Sequence, residues 1–332
     1  MGGLSSTPRS PDIEHQSHSD LTDASVRAGA AVRGSETFRQ NRCMTVWGTF
    51  VLDAYRSDER REMRDALESL FAPAAGTSWA SAGVYVFWDF ESREPLYVGL
   101  ASDFPVRFAQ HNRLKGCPAR GCKREEIDAY FASGKEFLGY TVLPLSSLTQ
   151  PTTKRFSEYI PLDDRDLIDL QAALSEEALD DIRALEGGLV AAYKARRGSI
   201  PPWNKDPARV PLQPITAADA TLDTATGRLD CLLQSRRTIR ELAGDGEASI
   251  YEEHLHGPRL LSVRWGITSG YGFRNDVLRL FLERTFKFFP GDVLLASDYL
   301  DDRNPLTVGP LLDPRPGDPA LVDLPSRPPD AG

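Results

Sequence analysis

Six residues between positions 85 and 204 carry side chains that could move protons, hold ions or position a site by hydrogen bonding: Tyr85, Tyr97, Arg107, His111, Glu186 and Asn204. Phenols, an imidazole and a carboxylate are proton-transfer groups, and a guanidinium holds anions. Each has an ordinary explanation when taken alone. A tyrosine in a strand is usually packing, an arginine and a histidine on a helix are usually a solvated face, and a helical glutamate usually faces water. Their spacing is what sets them apart. Arg107 and His111 stand four residues apart, so a helix brings both side chains to one side. Glu186 lies four residues after Ile182 and three before Leu189, on the apolar seam of its own helix. A carboxylate there is costly unless something cationic compensates it.

The elements that must position these groups can be read around them. Residues 83 to 88 (GVYVFW) and 95 to 99 (PLYVG) are β-branched and aromatic and flank a short polar segment, which predicts an antiparallel hairpin with both tyrosines on one face. Ser102 or Asp103 offers an N-cap, and Pro105 suits a first helical turn, so a helix through Val106, Phe108 and Ala109 should follow. Phe137 to Leu145 is the next strand candidate. Ser175, followed by Glu176 and Glu177, predicts the start of a long helix that ends at Arg196 and Arg197, before Gly198 and Pro201. Upstream, Leu52, Tyr55, Met63, Leu67, Leu70 and Phe71 suggest one or two helices within residues 41 to 80. Downstream, a proline-containing linker leads to a helix over Leu229 to Leu242. Ser249 to Phe289 then alternates apolar and basic residues, with His254 and His256 at strand spacing.

Taken together, the ordered set resembles the GIY-YIG nuclease superfamily, with GVY at Gly83-Val84-Tyr85 and YVG at Tyr97-Val98-Gly99. The step from Tyr97 to Arg107, the Arg107–His111 pair, and a distant helical glutamate trailed by Pro202-Trp203-Asn204 complete the pattern. The likeness covers about residues 82 to 206. It implies an α+β fold, a small antiparallel or mixed sheet flanked by helices, and hydrolysis of a nucleic-acid phosphodiester at one divalent metal. Glu186 would be the metal ligand, for Mg²⁺ or Mn²⁺, which suits a hard cation that keeps several waters. Arg107 would contact the scissile phosphate. One tyrosine, Tyr85 or Tyr97, would act on the attacking water, which a phenol of ordinary pKa near 10 can do only if cations favour its phenolate. His111 would orient a tyrosine or shuttle a proton, and Asn204 would position the end of the site. Leu100 stands where some members carry a lysine, and an acidic insert of about residues 146 to 174 is longer than a minimal member needs.

Net charge is -9, from 39 Lys and Arg against 48 Asp and Glu, which speaks on its face against a polyanion substrate. The imbalance is local. Nine acids face one arginine between Glu158 and Asp181, whereas Arg107, Arg113, Lys115, Arg120, Lys123 and Arg124 form an acid-free run beside the proposed site. Lys194, Arg196, Arg197 and Lys205 make a second cluster. These are the expected phosphate-backbone contacts, with Trp203 and Tyr130 as stacking faces. A zinc site from His111, Cys117 and Cys122 is disfavoured by the CxxxxC spacing.

The expected organisation is an arm rich in Ser, Gly and charge at 1 to 40, read as disordered, a helical segment at 41 to 80, the nuclease-like domain at 81 to 210, a C-terminal α+β region at 211 to 310 for substrate or partner selection, and a Pro-rich tail at 311 to 332, also read as disordered. With four cysteines and no long apolar run, the chain is expected to be cytoplasmic, free of the membrane and reduced. Its expected partner is nucleic acid, in first place DNA, in restriction, defence or repair. Cutting a duplex needs two sites or two nicks, which allows a homodimer or a protein partner. The competing reading is a noncatalytic nucleic-acid-binding or assembly module on the same fold.

Overall fold

The computed structural model describes residues 48–71, 79–117, 121–146, 165–205, 218–264, 279, 282 and 298–309, with the side chains of 146, 165–178 and 261–264 excepted. The expected arm and tail, residues 147–164 of the acidic insert, and Arg120 lie outside the described residues.

A four-stranded antiparallel sheet carries the site. Its strands are β1 (Val51–Tyr55), β2 (Trp79–Asp89), β3 (Pro95–Ala101) and β4 (Leu138–Ser146), in the spatial order β1-β4-β2-β3. The predicted hairpin is present as β2 and β3. Its register sets Tyr85 opposite Gly99 and Phe87 opposite Tyr97, so the two tyrosines are diagonal neighbours on one face. The first glycine of GVY is a point of close approach: a Cβ on Gly83 would lie 2.1 Å from the Leu143 carbonyl oxygen of β4.

Helices are α1 (Arg60–Phe71), α2 (Phe104–His111), α3 (Arg124–Ala132), α4 (Arg165–Arg197), α5 (Ala218–Ala225), α6 (Ile239–Gly244) and α7 (Gly246–Arg264), followed by a 3-10 turn at Asp298–Leu300. Of the two candidate caps of α2, Asp103 is the cap. Its side chain accepts from the Val106 N–H at 3.1 Å, and proline sits in the first turn. On the face of the sheet away from the tyrosines, Trp88 Nε1 donates to Thr141 Oγ1 at 3.0 Å, and that hydroxyl donates to the Ala225 carbonyl of α5 at 2.6 Å. Chain that follows Asn204 therefore packs on the back of the sheet. No helix among the described residues is long and apolar enough to cross a membrane.

Four expectations require correction. Val51 to Tyr55 is a strand, because all five residues are buried, so a strand covered on both faces lost its alternation and mimicked a helical step from Leu52 to Tyr55. The long helix begins at Arg165, so Ser175 is interior. A capping residue permits a helix start without requiring one, and Leu167, Leu170 and Leu174 continue the helical spacing upstream. Residues 165 to 174 of the expected insert are thus the beginning of α4. Only Ile239–Gly244 of the expected 229–242 helix is helical; Thr238 and Glu241 form a reciprocal capping box at its start, while an unforeseen helix, α5, occupies Ala218–Ala225. His254 and His256 lie on helix α7. Among its described side chains, the buried ones are Ala248, Glu252, Leu255, His256 and Arg259, so three of the five are polar where an apolar stripe is usual.

Most of that polar face is satisfied internally, His256 Nε2 and Asp230 Oδ2 being buried atoms without a hydrogen-bond partner. The Arg259 guanidinium pairs with the Glu252 carboxylate, which also accepts from Tyr299 Oη at 2.9 Å and from the Arg236 N–H at 2.8 Å. Arg236 in turn reaches Asp230 at 3.1 Å. All four ionic side chains are fully buried. Such a network holds only when each member is partnered.

Candidate active site

Helix α2 leaves β3 through Ser102 and lies across the sheet face that carries Tyr85. Its Arg107 and His111 both reach the same phenol. Arg107 Nε donates to Tyr85 Oη at 3.2 Å, and His111 Nε2 is 2.7 Å from it. The proton positions follow from a third contact. The backbone N–H of Lys123 donates to His111 Nδ1 at 3.0 Å, so that nitrogen must be the acceptor. Burial and the charges of Arg107, Lys123 and Arg124 push the imidazole pKa down to about 2, so the ring is neutral. Its single proton is then on Nε2, donated to Tyr85. The Tyr85 oxygen accepts two N–H bonds, and its own O–H is left to donate.

The ring packed beside it is that of Tyr97. Ring centroids of the two tyrosines are 5.8 Å apart. Burial holds the Tyr97 phenol above 10, against the opposing pull of Arg107. Tyr85 is fully enclosed, and burial together with Tyr97 holds its phenol well above 10 despite Arg107. Hydrogen bonds therefore run from the Lys123 N–H to His111 and from His111 to Tyr85, with the Tyr97 ring packed beside Tyr85 and nearer the surface. The last residue of YVG makes this packing possible: a Cβ on Gly99 would stand 2.4 Å from Tyr97 Cε1 and 2.7 Å from Tyr85 Oη.

Arg107 is fixed on its far side too. Nη2 donates to the Gly121 carbonyl at 2.8 Å and Nη1 to Gln110 Oε1 at 3.2 Å. Residues 121 to 123 form a strip along α2, because Cys122 Sγ also donates to the Gln110 carbonyl at 3.5 Å. Both imidazole nitrogens of His111 are committed, which leaves neither for a zinc ion shared with Cys117 and Cys122.

Glu186 enters from α4. Burial pushes its carboxyl up to about 7, against the pull of Arg107 and Arg183, and no hydrogen bond is among the influences on it. Among the described residues no group of three or more His, Cys, Asp or Glu could hold a metal. A single half-buried carboxylate fits a hydrated hard cation with one protein ligand, and does not fit a closed cage. Asn204 acts at one remove from the tyrosines. Its Oδ1 accepts from the Val98 N–H at 3.0 Å and its Nδ2 donates to the Val98 carbonyl at 2.8 Å, so one amide side chain stands in for a paired strand on the edge of β3. Trp203 N–H donates to the Leu96 carbonyl at 2.9 Å in the same clamp.

The expected phosphate contacts divide. Lys194 and Lys205 are exposed, and Lys205 stands 3.7 Å from Glu126. Arg113 pairs with Asp128 at 2.5 Å, Arg196 pairs with Asp223 through two bonds of 2.8 Å, and Arg197 pairs with Glu94. Arg124 Nε donates to the Gln110 carbonyl at 2.9 Å and its Nη2 to the Lys115 carbonyl. Lys123 is internal: its side chain is 3% exposed, and Nζ donates to the Trp203 carbonyl at 2.5 Å. Trp203 and Tyr130 pack edge to face on each other, with centroids 6.1 Å apart. Gln110 and Gly121 were not singled out by sequence. Gln110 follows the Arg107 step by one helical turn, and Gly121 contributes only a carbonyl, which leaves no residue-type signal. Comparison of the chain with protein-family models, curated proteins and solved structures finds no match in any of the three.

Proposed function

We propose that the chain is a metal-dependent endonuclease that hydrolyses phosphodiester bonds in nucleic acid, with DNA as the first substrate to test. The observation that carries this reading is the pair of hydrogen bonds that Arg107 and His111 make to Tyr85, with the Tyr97 ring packed against it. That arrangement serves removal of a proton from water next to an anion. Tyr97 is the general base: Tyr85 O–H and Arg107 stabilise its phenolate, and it takes the proton of the attacking water. Tyr85 is the buried relay member, and His111 holds Tyr85 by donating from Nε2. Arg107 opposes charge on the phosphate through its remaining donor capacity. Glu186 would hold Mg²⁺ or Mn²⁺, which when bound supplies Lewis-acid polarisation of a phosphate oxygen and a cation for the buried carboxylate.

The deciding assay is cleavage of supercoiled plasmid over a Mg²⁺ and Mn²⁺ series by wild type and Glu186→Ala. Metal-dependent nicking by wild type alone supports the reading, and equal behaviour of the two proteins ends it. Unmodified duplex, methylated duplex and branched DNA then separate restriction from repair.

A further inference from the structure

One buried lysine touches three separate parts of this site, none of which needs it for its own secondary structure. Lys123 orders His111 through its backbone N–H, as above. Its ammonium lies 4.8 Å from the centroid of the Tyr97 ring. The same ammonium donates to the Trp203 carbonyl at 2.5 Å, one residue before the Asn204 amide that clamps Val98. Glu126, at 3.5 Å, is its acidic neighbour.

The setting explains why a charge is kept there at a cost. Desolvation lowers the Lys123 pKa, opposed by Glu126. A cation placed over a tyrosine face is worth roughly 0.5–2 kcal/mol depending on burial. A charge-assisted bond to a carbonyl adds to this. Both contacts act on β3, one through the Tyr97 ring and one through the 203–204 clamp on the residue after Tyr97.

The geometry points to Lys123 as a positioning residue for Tyr97, its ammonium fixing the ring from one side while the Trp203–Asn204 clamp fixes the strand from the other. It is not a phosphate contact. The kinetic part of this inference rests on the nuclease reading; the structural part does not.

Three variants of the full chain separate the contributions: Lys123→Met removes charge and donor, Lys123→Gln keeps a donor, and Lys123→Arg keeps both. The readouts are amide hydrogen exchange by NMR at Val98, whose N–H is held by Asn204, and kcat against KM on plasmid. In Lys123→Met, Val98 is expected to exchange at least about tenfold faster while amides of β2 and β4 keep their protection. Its kcat should fall by about tenfold or more with KM within about threefold, and Lys123→Arg should restore both. Wild-type Val98 protection in Lys123→Met overturns the inference, as does a KM effect without a kcat effect. Should the Met variant not fold, Gln and Arg decide: Val98 looser in Gln than in Arg supports it, and wild-type exchange in both overturns it. Wild type that cleaves nothing would refute the nuclease reading and leave the exchange comparison to judge Lys123 alone.

Discussion

The 3.0 Å bond from the Lys123 N–H to His111 Nδ1 fixes the imidazole tautomer and, through it, the direction of the hydrogen bond from His111 to Tyr85. A backbone amide cannot lose its proton, so this orientation does not depend on pH. His111 is accordingly expected to stay in the Nε2–H form from pH 5 to 8, read from its ¹⁵N shifts, and the rate profile should have no limb near 6.5. An imidazole that titrates in that range would contradict the assignment. His111→Ala should lower kcat by about 10²-fold or more.

The two tyrosines are expected to differ when replaced. Tyr97→Phe removes the base, and activity should fall by about 10³-fold or more. Tyr85→Phe removes a donor to the Tyr97 phenolate, so the loss should be smaller and the rising limb of the pH profile should move to higher pH. Rate profiles of the two variants measure this directly, and a reversed ranking would make Tyr85 the base.

Glu186 makes stability depend on pH in an unusual direction. Its folded pKa, about 7, lies above the ordinary 4.5, so between those values the folded state binds more protons than the unfolded state. Stability contributed by the neutral carboxyl is present below about 4.5 and is lost as pH rises through 7. Without divalent metal, Glu186→Gln should exceed wild type at pH 8 by on the order of 2–3 kcal/mol in urea denaturation, with the gap closing toward pH 4.5. Added Mg²⁺ should narrow the gap at pH 8 by binding wild type.

Histidine works in the opposite sense. His111 and His256 are neutral when folded, their pKa values pushed by burial and neighbouring cations to about 2 and about 3. The unfolded chain gains protons at both below about 6.5, so stability falls as pH drops through that value. The cost is about 2 kcal/mol per histidine at pH 5. Equilibrium unfolding at pH 7 and pH 5 tests the sum, and His256→Gln should reduce the slope.

Gly99→Ala places a methyl where Tyr97 and Tyr85 already are. Overpacking of this kind costs about 1–3 kcal/mol, but the larger effect should be on activity, because relief requires one tyrosine to move. A variant with near-wild-type unfolding and kcat would show that the tyrosines need no such contact.

The hairpin, α2 with its proline and the last strand were legible because β-branched and aromatic runs flank a short polar segment over Gly83 to Gly99, a cap and a proline mark Asp103 to Ala109, and Phe137 to Leu145 is a further apolar run. The candidate residues were legible as an ordered set, and the fold gathers Arg107, His111 and the Tyr97 ring around Tyr85, with the Glu186 charge felt at Tyr97. Val51 to Tyr55 was misread because burial on both faces erases alternation. Helix α7 was misread because Glu252, His256 and Arg259 fill the face that apolar residues usually mark. Basic residues were legible as charge but not as contacts: nothing in a run of lysine and arginine distinguishes Lys123, buried over a ring, from Lys205, which is exposed. Partners such as Asp128 and Asp223 for Arg113 and Arg196 are remote in sequence, and only folding reveals them.

Sheet edges are where chains of this class would be open to strand addition by a neighbour. Here both are occupied at defined points. Asn204 takes the N–H and carbonyl of Val98 on β3, and at the other end Phe50, just before β1, receives the Ser235 N–H at 2.8 Å and donates to the Leu233 carbonyl at 2.9 Å. Backbone groups already engaged in this way are poor templates for a further strand. The hairpin bearing both tyrosines is thereby shielded from edge-to-edge association at Val98, the residue after Tyr97.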